Sequence, residues 1–568
     1  MQDSTQQSFF KSQRLNRVLL ASVLGAAGLL TVACSSTSVT DQDNQQGFME
    51  KRAALIAKYS AKDGTFAALQ AQADPKQLES REYWRWRIDQ YMYGQYPEYQ
   101  ALYDTYTQGK SFQQIYDLPA ENLGPKKPLP SQLPKLPSGY FSDNLQGNPH
   151  TGEYNLVGDK VYITYQGHLT DPYIASFDLK TQQWQGPYKA AESTLSKGER
   201  KIDSHGRPLI EQDALGHFHI IYGGHGGERE DGLNPYSIDT PHAGGRMLHV
   251  MSAKPNDISQ FVPVNDITPF ASYTASEKMD NGDIYFFTRA GTHKSPWIYY
   301  KMKNGQQRFE PPVTITWPTP QKQDPIHVDT FYIKPRKVSA TDIVISSLWH
   351  TCNFNEIHDK TTYGRINTYY MRLDTTTDTF YNAQNEPLTL PITLASANKK
   401  TLAFDSTQRE ETPFSTMPLI LDDKKPAVAY QARAKNLREW RMTKFDNGQW
   451  QHSLPMPGTT NRVVVDSGNQ PIKNIITFEE VNGQTQNTAL VLYKDKKGQA
   501  IFATATKQQG KQNTWRIKQQ HAAVAKARME LQAVKNKQGE IVAAILNIRK
   551  GGAQRLYLWQ NGQFKTPL

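Results

Sequence analysis

From Tyr140 onward the chain alternates short apolar runs with glycine-bearing turns. Four segments share one pattern, a turn with glycine that leads straight into a strand. They are DALGHFHIIYGG at 213–224, DNGDIYFFTRAG at 280–291, KDKKGQAIFATA at 494–505 and NKQGEIVAAIL at 536–546. A second turn class comes before an aromatic residue: KNGQQRF ending at Phe309, DNGQW ending at Trp450 and QNGQF ending at Phe564. Asn-Gly and Asp-Gly between apolar runs signal hairpins, because such turns need positive φ. Units of this kind, repeated along residues 140–568, predict an all-β fold, a β-propeller of six to eight blades with seven expected. Two β-sandwiches in tandem are the competing architecture. Closure favours the propeller, with the last strands, 555–563, expected to complete the first blade.

The pattern before Tyr140 differs. Phe48, Met49, Leu55, Ile56 and Tyr59 recur at helical spacing, and further helical runs are read at 75–92 and 96–107. Residues 47–119 are therefore expected to form a small helical extension. Prolines crowd 120–139, which reads as an extended linker. Near the start, Lys11, Arg14 and Arg17 precede an uncharged apolar run, 18–33, that ends at Cys34. This is the layout of a signal peptide, residues 1–33, whose following cysteine resembles a bacterial lipobox with Thr31 where leucine is usual. The expectation is a lipid on Cys34, a polar tether over 34–46, and a place in the bacterial cell envelope, anchored to the membrane. The run is short for a membrane span.

The 568 residues carry 65 Lys and Arg against 54 Asp and Glu, a formal charge of +11. Removal of 1–33 leaves 62 basic and 53 acidic residues, so the body stays near +9. A polyanionic partner is implied, but charge alone does not name it. Aromatic content of 11% argues against disorder. With two cysteines in all, and Cys34 reserved for lipid, Cys352 has no disulfide mate.

Three polar clusters could carry chemistry. Residues 202–227 hold His205, Arg207, His217, His219 and His225, with glycines around His225 that allow close approach. His217 and His219 read as sheet histidines, whereas His205 and His225 read as functional. Residues 268–293 place Tyr273 before a very apolar strand that ends in Arg289, whose guanidinium needs an anionic partner. A structural salt bridge would satisfy it as well. Residues 347–365 hold His350, Cys352 and His358, donors suited to Zn²⁺ though without a clear fourth ligand. A buried cysteine beside ordinary loop histidines is the alternative.

The segment DSHGRPLIEQDALGHFHIIYGGH at 203–225 resembles the BNR-4 type propellers. Tyr273 with Arg289, and FYNAQNEPLTLPIT at 380–393, extend the likeness. Within that group the spacing is most similar to the ulvan lyases of polysaccharide lyase families 24 and 25, and His350 favours the latter. The resemblance implies β-elimination at O4 of a uronate in a sulfated rhamnose–uronic acid polymer. It implies His205 and Tyr273 as the acid/base pair, and His225 and Arg289 as neutralisers of the carboxylate. Tyr332 and His350 are further site residues, and His350, Cys352 and His358 ligands of a structural zinc. It implies an acidic sulfated polysaccharide as partner; no nucleic acid partner is expected, and the protein is expected to be a monomer. The rivals are a sialidase-like glycoside hydrolase and a non-catalytic glycan-binding propeller. Hydrolases ordinarily use paired carboxylates, and these clusters are rich in His, Tyr and Arg instead.

Overall fold

Apolar strands with a glycine turn at each end cannot stand alone in water; they pair into sheets and bury the paired faces. The computed structural model describes residues 39–60, 89, 92, 96–107, 138, 140–142, 154–167, 170–193, 206–224, 247–267, 270–291, 295–320, 328–351, 364–407, 409, 411–419, 421, 423, 425–434, 437–455, 464–467, 471–472, 474–481, 488–509, 514–550 and 553–567. Among them are seven sheets, each drawn from one stretch of chain: 154–189, 209–264, 272–316, 319–404, 412–455, 464–524 and 528–565; all pair antiparallel except that Val464–Asp466 runs parallel to Thr514–Val524. The arrangement is a seven-bladed β-propeller.

The two turn classes occupy set places in a blade. The glycine turns at 213–217, 280–283 and 536–540 join first to second strands, and the Asn-Gly turns at 303–309, 446–449 and 560–563 join third to fourth. Blade 6 is out of step: its glycine turn joins Thr488–Lys494 to Ala500–Lys507, the second and third strands. Both regular turn positions fall on one face of the ring. First-strand starts, second-strand ends and third-strand starts fall on the other, where the candidate chemistry collects.

Apolar faces of neighbouring blades pack together. Blades 3 and 4 share a core of Phe287, Trp297, Ile315, Phe331, Ile345, Trp349, Tyr369 and Phe380. Blades 1 and 7 meet through Val161, Ile163, Phe177, Val534, Ile545 and Leu556. The strand expected to complete blade 1, Ala553–Gln560, lies in blade 7 instead, paired with Ile541–Lys550 and Gln563–Lys565. The crossing contact comes from the other end. Phe141 N donates to Leu556 O and Leu556 N to Ser142 O, both at 2.9 Å, where the short fourth strand leaves Leu556 open.

Two compact units are distinguished, residues 1–51 and 52–568. The helix Val39–Ser60 begins inside the stretch read as a tether, and Gln46 Nε2 donates to Glu50 Oε1 one helical turn on, at 3.1 Å. The helix Pro97–Thr107 matches the third helical run. Within the larger unit, buried Asp89 accepts from Arg52 Nε at 2.6 Å and from Tyr99, and Tyr59 stacks on Tyr96 at 3.8 Å. Most of 75–92 and of 120–139 lies outside the described residues, as do 1–38 with Cys34.

Two glycines allow close backbone approaches, one within blade 2 and one between blades 2 and 3. Gly223 N donates to Gly206 O at 2.8 Å, so close that a Cβ on Gly206 would fall 1.6 Å from Gly223 O. Gly224, at φ +84°, leaves only 2.2 Å between such an atom and Ala271 O. Gly224→Ala should destabilise the protein by more than about 1 kcal/mol, from left-handed strain and the backbone clash together. A urea midpoint equal to that of the parent would show that the blade junction is not held this tightly.

Candidate functional site

Tyr273 lies on the first strand of blade 3, Ser272–Lys278, and Arg289 ends the second, Ile284–Arg289. Their pairing explains how the tyrosine is aimed. Thr288 faces Thr274 and Arg289 faces Ser272, so Tyr273 is an extra residue between them. It is a β-bulge with φ +62°, a conformation that costs a non-glycine residue of order 1–3 kcal/mol. The bulge turns the phenol out of the ladder, onto Trp297 at 6.0 Å and against Tyr332 at 5.9 Å.

Arg289 is 1% exposed. Its Nε donates to Ser272 Oγ at 3.1 Å, and Ser272 Oγ in turn donates to Gly291 O. Its carbon Cζ lies 4.8 Å from the centre of the Tyr273 ring and 5.3 Å from that of Tyr332. Its Nη1 is buried with no hydrogen-bond partner among the described residues. A guanidinium taken from water with a donor unused is costly unless an anion fills the place.

Blade 4 supplies the opposite wall. Tyr332 is on the first strand, Val328–Lys337, and buried His350 ends the second, Asp342–His350. Their rings meet edge to face at 5.2 Å. Arg365 opens the third strand, opposite His350, with Cζ 4.9 Å from the Tyr332 ring. Burial, then the neighbouring Tyr332, push the Tyr273 hydroxyl up to about 12, while Arg289 and Arg365 pull the other way. Tyr273 thus keeps its proton at neutral pH.

The structure therefore brings together Tyr273, Arg289, Tyr332 and His350, from two blades. His205, His225, Cys352 and His358 lie outside the described residues. The residues beside two of them do not. Gly206 follows His205 and lies against Gly223, whereas Gly224 precedes His225 and lies against Ala271, two residues from Tyr273. Ser272 and Arg365 were not singled out from the sequence. Serine beside a bulged tyrosine carries no motif, and Arg365 is recognisable only from its register with His350.

His217 and His219 take structural roles. His217 Nδ1 contacts Ser252 O at 2.8 Å. His219 belongs to a buried chain from Asp213 (3.2 Å) through His219 to His249 (2.9 Å) and on to Asp266 (2.7 Å). Among the described residues no three His, Cys, Asp or Glu side chains stand together as metal ligands.

Comparison with known proteins places this geometry. The model of the BNR repeat-containing family matches residues 160–456, just over half of the 568. An ulvan lyase of family PL25 from Pseudoalteromonas sp. (strain PLSV) is 39% identical over 284 residues, 47% of this chain and 55% of that protein. The chain thus spans little more than half the length of that relative. An ulvan lyase of Nonlabens ulvanivorans is 34% identical over 332 residues, 55% of this chain and 68% of that protein. A solved PL25 ulvan lyase bound to -[GlcA(1-4)Rha3S]- superposes with a TM-score of 0.59 at 28% identity, over 74% of this chain and 95% of that one. On the extent of these matches, the chain belongs to the BNR repeat-containing family and groups within it with the ulvan lyases.

Proposed function

We propose that the protein is a polysaccharide lyase that cleaves ulvan by β-elimination at O4 of the uronate. The observation that carries this reading is the buried guanidinium of Arg289, with Nη1 unused and Tyr273 packed on it. Elimination needs the C6 carboxylate neutralised so that the C5 proton becomes acidic, a base to take that proton, and an acid to protonate the departing oxygen. The C5–H electron pair becomes the C4=C5 double bond, and the C4–O4 bond breaks. Arg289, with His225, neutralises the carboxylate. Tyr273, protonated by its surroundings, gives its proton to O4, and His205 takes the C5 proton. Tyr332 and His350 hold the sugar and keep the guanidinium in place.

A structural zinc fits the donor set of His350, Cys352 and His358, an N/S combination that suits the ion. His350, at the end of its strand, would bind the ion with its ring beside Tyr332. A lipid on Cys34 would hold the enzyme at the bacterial cell envelope, and the propeller would act there as a monomer on an acidic sulfated polymer.

Ulvan incubated with the protein should gain absorbance at about 235 nm, the band of the unsaturated uronate. Tyr273→Phe and His205→Ala should each lower that rate by roughly 10²–10⁴-fold. With Tyr273 as acid, kcat/KM should hold past pH 10 before it declines. New reducing ends without the absorbance would mean hydrolysis, and binding with neither signal a glycan-binding module. Elemental analysis of Cys352→Ala should show the zinc lost; zinc retained in full would remove that cysteine from the ligand set. Cys34→Ser should move the protein from the membrane to the soluble fraction of its host cell, and continued membrane association would refute the lipid anchor.

A further inference from the structure

We infer that Arg365 and Arg433, both lying over the ring of Phe414, form a second anion subsite that takes a sulfate ester on the sugar next to the bound uronate. The name of the ligand rests on the lyase reading; the geometry does not.

The face that carries Arg289 continues into blade 5. Arg433 is near the end of its second strand, Ala427–Ala434, and pairs with Thr412 at the start of the first, two residues before Phe414. Arg289, Arg365 and Arg433 therefore come from three successive blades and share one face of the ring. Rings link them in a line. Arg289 lies 5.3 Å from Tyr332, Arg365 lies 4.9 Å from Tyr332 and 4.3 Å from Phe414, and Arg433 lies 3.1 Å from Phe414. Positive charge gathered on shared rings draws an anion to the place where the charges converge.

Exposure separates the two ends of this line. Arg289 is fully buried, while Arg365, Phe414 and Arg433 are half-exposed. A carboxylate about to be activated gains from burial, where its neutralisation is strongest. A sulfate ester stays charged at any working pH and needs only to be held, which a half-exposed pair of guanidiniums does well. The pair is also set in position. Arg365 Nη1 donates to Phe414 O at 2.5 Å, and Arg433 Nη2 to Gln431 Oε1 at 3.3 Å. Glu411, three residues before Phe414, is engaged by Arg441, Tyr430 and Ser453.

The test compares native and chemically desulfated ulvan oligosaccharides on the full-length protein, with binding measured by calorimetry and turnover at about 235 nm. The parent should bind the sulfated form more tightly. Arg433→Gln should weaken sulfated binding roughly tenfold more than desulfated binding, the scale of one charge-assisted hydrogen bond, with the loss appearing in KM rather than kcat. Arg433→Lys should restore part of the preference. Equal losses on both substrates, or a parent that does not distinguish them, would overturn the subsite even if the lyase activity stands. Sulfate-dependent binding without a product band would leave the subsite standing and overturn the lyase reading instead. Arg365→Gln provides the second variant should Arg433→Gln fail to fold.

Discussion

A ring of sheets depends on the contact that closes it. Six blade junctions could form in an open, curling stack. The seventh, where Val161, Ile163 and Phe177 meet Val534, Ile545 and Leu556, turns the stack into a ring. The short bridge from Ser142 to Leu556 covers part of the last blade's edge at the same place. Once the ring is closed, the blades can no longer splay independently. Side chains at adjacent strand ends are then held at fixed separations, which is what a multi-residue site on Tyr273, Arg289, Tyr332 and His350 requires.

Within that ring the site is made by departures from regular pairing. At Tyr273 the ladder skips a residue; at Asn367, also at positive φ, the pairing of blade 4 skips one next to Arg365. Blade 5 breaks register between Pro413 and Thr416, beside Phe414. All three irregularities fall on one face of the ring, in the blades that carry Arg289, Arg365 and Arg433. The opposite face carries the short glycine and Asn-Gly turns.

The sequence shows the regular part of this more readily than the irregular part. Turn chemistry is local, so Gly216, Gly282 and Gly539 announce their hairpins, and Asn447 and Asn561, at positive φ, announce theirs. The residue types of the site were also visible, since an arginine at the end of Ile284–Arg289 is conspicuous on any reading. The partners were not. Ser272, Arg365, Phe414 and Arg433 depend on register and on which blades are neighbours, and neither is written in a single strand. The out-of-step turn of blade 6 and the place of Ala553–Gln560 in blade 7 mark where repeat spacing misleads: it counts turns without saying which strand pair each one joins.

The bulge at Tyr273 sets a bias on how the protein can change. The backbone there favours glycine or asparagine, which adopt positive φ with little strain, and tyrosine persists against that preference. The position therefore trades robustness for chemistry. Selection for heat resistance alone would act against this tyrosine early, so a hardened variant would have to draw its gains from the opposite face of the ring to stay useful.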